Sequence, residues 1–185
     1  MNKRWVVTAL MAIGLFGGCG EQAAKKTAEV AGVDLNGVTV VMPEGWVHEP
    51  SANAMRKAQF RLPGEGGDAE LVVTHFGAGG AGGVDANIER WRDQFAESDG
   101  GKTRTLTVSG MPVTILDISG TFAGMQGPMS GGGAPKTDQR MLAAIVESSN
   151  GAFYFKLVGP IATVTHWQKS FDEFIASVKP SLPKA

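Results

Sequence analysis

Cysteine is nearly absent from this chain. Its 185 residues include one, Cys19, so no disulfide can form within the chain and stability must come from a packed core. Long apolar runs are missing as well. The run near the start, Trp5 to Phe16, is about a dozen residues, short of the roughly 20 that span a bilayer as a helix. Charge of either sign is not in excess, with a net of −1, so the broad basic surface that nucleic-acid binding requires is not there. Histidine is sparse. His48, His75 and His166 lie far apart, with no His-Glu-x-x-His pattern and no paired cysteines. That excludes a metal site built from local sequence, and neither a metal nor a cofactor is expected. Ser130 sits among glycines without the strand and helix that flank a nucleophile elbow. No two carboxylates are placed by sequence for acid–base work. The chain reads as a non-enzyme.

Glycine is plentiful. There are 26, clustered at residues 64–67, 77–83 and 127–133, which suits loops between regular elements. Between the clusters the hydrophobic pattern is regular. Val38 to Met42 is β-branched and strand-like, and Pro43 and Gly45 turn it before Trp46. Residues 55–63 and 69–76 read as further strands. The first carries Arg56, Lys57 and Arg61, a local basic cluster read as a solvated strand face.

A helix is expected from about Asp85 to Glu97, with Val84, Ile88, Trp91 and Phe95 on one stripe. Residues 102–110 and 111–122 follow as strands about a Ser109-Gly110 turn, and 139–148 and 152–159 flank Asn150-Gly151. A last helix is expected from Thr163 to Val178. Its apolar face holds Val164, Trp167, Phe171, Phe174, Ile175 and Val178, and Pro180 is its stop. Two hairpins make an antiparallel sheet, and two amphipathic helices can cover it. The fold class is α+β, mainly antiparallel sheet packed with two helices.

Two loops invite a functional reading. Gly77, Gly79 and Gly82 spell Gly-x-Gly-x-x-Gly between a strand and a helix, the context of a dinucleotide site. The following strand, Lys102 to Ser109, alternates polar and apolar residues, whereas a parallel strand buried on both faces would not. The ribose-binding acid expected about 20 positions on is missing too. The motif is therefore read as a plain connection. The loop at 123–137 carries Met125 and Met129 among glycines and prolines. It is either an adaptable apolar interaction surface or a hairpin tip. Asp117, in an otherwise apolar strand, is expected at a rim.

The N-terminus has the layout of a secretory signal: Lys3 and Arg4, the apolar run, then small residues. Leu15-Phe16-Gly17-Gly18-Cys19 resembles the lipobox of bacterial lipoproteins, with Phe16 where that class prefers leucine. The resemblance implies cleavage between Gly18 and Cys19, acylation of Cys19 with palmitate-like chains, and attachment to a membrane through the lipid. Gly20, rather than aspartate, follows the cysteine, which in that class favours the outer membrane where one exists. Residues 1–18 are then a signal peptide, 19–35 a lipidated flexible tether, and 36–182 a single domain. Without Lys3 and Arg4 the mature chain carries fifteen basic and eighteen acidic side chains.

The domain itself, through Val38 to Met42 and Pro43-x-Gly45-Trp46, resembles the PsbP-like proteins. That resemblance implies an antiparallel sheet between helices and a non-catalytic, protein-binding role. The resulting expectation is a cell-envelope lipoprotein facing the periplasm or exterior, with an accessory or protein-interaction domain. Its partners are the membrane and an unidentified envelope protein, with no nucleic acid. The alternative is a carrier of a small apolar ligand, held between sheet and helix against Trp91, Trp167 or Phe174.

Overall fold

The structure, a computed structural model, describes residues 32–53, 55–80, 82–124 and 134–182. It is α+β, with two antiparallel sheets and two helices. The small sheet joins β1 (Gly32–Asp34), β2 (Val38–Val41) and β11 (Lys179–Pro180). The large one joins β3 (Val47–Glu49), β4 (Arg56–Leu62), β5 (Ala69–His75), β10 (Gly151–Pro160), β9 (Lys136–Ser148), β8 (Met111–Phe122) and β6 (Phe95–Ser98) in that spatial order. β7 (Lys102–Val108) pairs with the other end of β8. Helix α1 (Val84–Arg92) precedes β6, and α2 (Ile161–Ala176) follows β10.

The large sheet separates two cores, and β9 shows how. Residues Met141 to Val146 are all buried and belong alternately to the two. Met141, Ala143 and Ile145 join one cluster with Ile88 and Trp91 of α1. Leu142, Ala144 and Val146 join the other with Val164, Phe171, Phe174 and Ile175 of α2 and with Val38 and Val40 of the small sheet. A strand buried on both faces needs such a continuous apolar run, because side chains alternate with period two.

The Pro43-x-Gly45-Trp46 turn joins the two sheets. Gly45 has φ 85°, and a Cβ there would meet the Trp167 ring at 2.7 Å, so the position takes glycine on both counts. Trp46 is then driven into the core, 5.0 Å from Phe174 and 6.0 Å from Phe60 between ring centres.

Local differences from the sequence reading have identifiable causes. The first helix stops at Arg92, not near Glu97, because Phe95 to Ser98 pairs with β8 as an edge strand. Phe95 still reaches the predicted apolar cluster, and its ring sits edge-on to Phe122 at 5.3 Å. The last helix is set two residues earlier, between Pro160 and Ser177. Pro180 does not stop it but lies in β11 opposite Val38. The Ser177 hydroxyl donates to the Phe174 carbonyl at 2.6 Å and accepts from the Val41 amide at 2.9 Å, tying the helix end to the small sheet. The β9–β10 hairpin turns at Ser149-Asn150, with Ser148 opposite Gly151, so it is Gly151 that takes the positive φ of 108°. Regular structure also begins before residue 36: Gly32–Asp34 pairs with β2, and Leu35 is buried.

Candidate functional site

The two faces of the large sheet are not equally covered. α2 and the small sheet close one face. On the other, α1 lies over the β8, β9 and β10 side, and among the described residues β4 and β5 have no helix above them. The side chains there are the alternates of the buried ones. On β5, Leu71 and Val73 point into the α2-side core, whereas Glu70, Val72 and Thr74 line a groove. On β10, Phe155 and Leu157 are fully buried, and Lys156 between them faces the groove.

The groove holds about 360 Å³. Its apolar wall is aromatic: Trp91 stands edge-on to Tyr154 at 6.3 Å, and Phe76 lies 5.9 Å from Tyr154. Met55, 61% exposed, and Phe76, 42% exposed, are at its rim. A second hollow of about 460 Å³ continues it, sharing Glu70, Val72 and Lys156, and is bordered by Phe122, Gly124 and Ala134.

Three cations, Arg56, Arg90 and Lys156, line the first hollow against one carboxylate, Glu70. Arg56 donates to Gln59 at 2.7 Å and pairs with Glu70 at 2.9 Å. Arg90 donates to the Asn87 side-chain oxygen one turn back on α1. Lys156 differs. Its ammonium donates to the Gln94 Oε1 at 3.1 Å, and it has no carboxylate within ion-pair distance among the described residues. Burial holds the Lys156 amine below its ordinary pKa, and the more distant Glu70 offsets this in part. Gln94 is itself buried. Its carbonyl accepts from the Ala123 amide at 2.8 Å, which fixes it at the junction of α1 and β6. Burial also raises the Tyr154 hydroxyl above its ordinary pKa.

Other residues singled out from sequence fall into structural roles. Gly77, Gly79 and Gly82 all have φ near 75°, and they connect β5 to α1. β5 is antiparallel to both its neighbours, and the strand after α1 is an antiparallel edge, so this is not the parallel unit in which such a loop holds a pyrophosphate. Asn87 of α1 closes the loop by donating to the Gly83 carbonyl at 2.8 Å.

Asp117 lies at a rim as expected, half-exposed, with a partner that the sequence did not show. Arg140 grips it through two nitrogens at 2.8 and 2.7 Å and reaches Thr165 at 2.9 Å and Gln168 at 2.8 Å on α2. With its fork filled in this way, Arg140 clamps helix to sheet.

The three histidines are separate. His75 stacks on Phe153 at 4.2 Å and contacts the Ala152 carbonyl through Nδ1 at 3.0 Å; His48 faces Phe60; His166 meets Trp167 edge-on. No group of three metal-ligating side chains occurs among the described residues. In the basic strand, Arg61 pairs with Glu49 and Asp68, both at 3.0 Å, as a solvated face would.

The pocket expected against Trp91, Trp167 or Phe174 needs correcting. The sheet puts Trp91 on one side and the other two on the opposite side. Phe174 is fully buried, and the Trp167 indole donates to the Pro63 carbonyl at 2.7 Å. Trp91 is the one of the three that borders the groove. Gly18, Cys19, Ser130, Met125 and Met129 lie outside the described residues.

No protein-family model matches the chain, and no curated protein matches it. Solved structures do. PsbP (CyanoP) from the cyanobacterium Synechocystis superposes with a TM-score of 0.52 at 12% identity, over 79% of this chain and 88% of that one. A Pseudomonas aeruginosa protein of unknown function, PA94, superposes with a TM-score of 0.49 at 16% identity, over 74% of this chain and 90% of that one. The resemblance to PsbP-like proteins first read at Pro43-x-Gly45-Trp46 is thus supported by a likeness of fold.

Proposed function

We propose that the chain is a cell-envelope lipoprotein, attached to a membrane through Cys19, whose domain is a non-catalytic accessory or interaction module. The observation that carries the binding role is the part of the large sheet that no described helix covers, a groove with apolar walls and charged groups. The anchor rests on the signal layout and the lone cysteine. No described helix is long and apolar enough to cross a membrane. Cys19 and Gly32 are 13 positions apart, which lets the domain stand at most about 45 Å from its anchor.

Crosslinking in intact cells, on the wild type and on Cys19→Ser, tests this reading. The expected result is one reproducible envelope protein captured when Cys19 is present and lost with the serine variant. A variant as firmly membrane-bound as the wild type would remove the lipid anchor. A chain with no specific partner would remove the protein-interaction role.

A second reading, carriage of a small ligand, has its own observation. At about 360 Å³ the groove lies at the lower end of small-molecule pockets, about 300–1,000 Å³.

A further inference from the structure

We propose that the groove beside α1 binds a small anionic amphiphile, an acid with an apolar or aromatic body, with the Lys156 ammonium receiving the acid group and Trp91, Tyr154 and Phe76 receiving the body. This rests on the carrier reading and names its ligand class.

The charge argument comes from the inventory of partners. Of the three cations in the groove, Arg56 is neutralised by Glu70, whereas Arg90 has only the neutral side-chain oxygen of Asn87. Lys156 has only a neutral amide oxygen, that of Gln94. A half-buried ammonium with no carboxylate in contact is costly to keep, and an arriving anion offsets that cost.

The apolar argument is independent. Six large hydrophobic side chains are exposed among the described residues, and two of them, Met55 and Phe76, stand at the rim of this groove. Phe76 continues the Tyr154–Trp91 aromatic wall toward solvent. A cationic group beside aromatic side chains, one of them exposed, matches the polarity of an acid with an apolar tail.

The probe is 4-phenylbutyrate, with 4-phenylbutanol as its uncharged counterpart. The full chain as recovered from cells, in nanodiscs of neutral lipid, is titrated calorimetrically against empty nanodiscs. The wild type is expected to bind the acid about tenfold more tightly than the alcohol, the contribution of one charge-assisted hydrogen bond. Lys156→Met should abolish that preference by weakening the acid more than the alcohol, and Lys156→Arg should keep it. No binding of the acid, or equal binding of acid and alcohol by the wild type, overturns the proposal without recourse to any variant. Acid preference retained in Lys156→Met overturns the role of the lysine. Failure here leaves partner capture through Cys19 untouched, and a missing partner leaves the titration untouched, so the two readings fail separately.

Discussion

The two faces of the large sheet are built from the same strands and differ in what covers them. Toward α2, β10 presents Phe153, Phe155 and Leu157, all fully buried, and β5 presents Leu71 and Val73. Toward α1, the same two strands present Tyr154, Lys156, Glu70 and Val72. A sixteen-residue helix and a three-stranded sheet cover the first face, and a nine-residue helix covers part of the second. The polar residues mark the line where the cover ends. Where both faces are covered, as at Met141 to Val146, the strand is apolar on both sides. The closed face supplies stability and the half-open face supplies a surface on which a charge can be kept, and mutations should separate the two.

The largest effect is expected at the centre of the closed face. Phe174 touches the rings of Trp46, Phe60 and Phe155, and Phe174→Ala should cost about 3–5 kcal/mol in denaturant unfolding. A loss below about 1 kcal/mol would mean that the α2 face is not the main core. Next comes Gly45→Val. The positive φ and the Trp167 ring oppose any side chain there, so about 2 kcal/mol should be lost by the same measurement. Wild-type stability in that variant would show that the turn does not need glycine.

Smaller again is the clamp between the closed face and its helix. Arg140→Met removes four hydrogen bonds, but Asp117 is 36% exposed and water can replace part of what is lost. About 1–2 kcal/mol is expected. A double-mutant cycle with Asp117→Asn should show coupling between the two positions, and strict additivity would leave the pair without an energetic role. The smallest change is expected at the rim of the half-open face. Met55→Ser should alter stability by no more than about 0.5 kcal/mol while weakening phenylbutyrate binding. Were it as destabilising as the core variants, the groove would be part of the core and not a binding surface.

The elements were legible where local pattern decides them. The apolar face of α2 holds Val164, Phe171, Phe174 and Ile175, all buried, as its spacing predicts. The Ser109-Gly110 hairpin was legible for the same reason, with φ 49° and 79° at its two central residues. Helix α1 was legible up to Arg92 but not beyond. Phe95 falls on the buried side in either conformation, and the choice between helix and strand was made by the free edge of β8.

The groove was the least legible part. Lys156 lies in the run Ala152 to Gly159, where it looks like one polar residue in an apolar strand. Its alternation with Phe155 and Leu157 was a usable signal that it faces away from the main core. Nothing local says that Gln94, 62 positions earlier, would be its partner. The same holds for Asp117 and Arg140, 23 positions apart and brought together by adjacent strands and by α2.

By itself the sequence determined the alternation of strands, the two amphipathic helices, the hairpin turns and the glycine at position 45. Each of these follows from backbone geometry and side-chain period over a few residues. The tertiary structure alone decided which strands became neighbours, that Trp91 and Trp167 stand on opposite sides of one sheet, and where α1 leaves that sheet uncovered. Those outcomes depend on long-range pairing and on the competition of distant apolar surfaces for burial. A reading confined to neighbours along the chain therefore locates the core more readily than the groove.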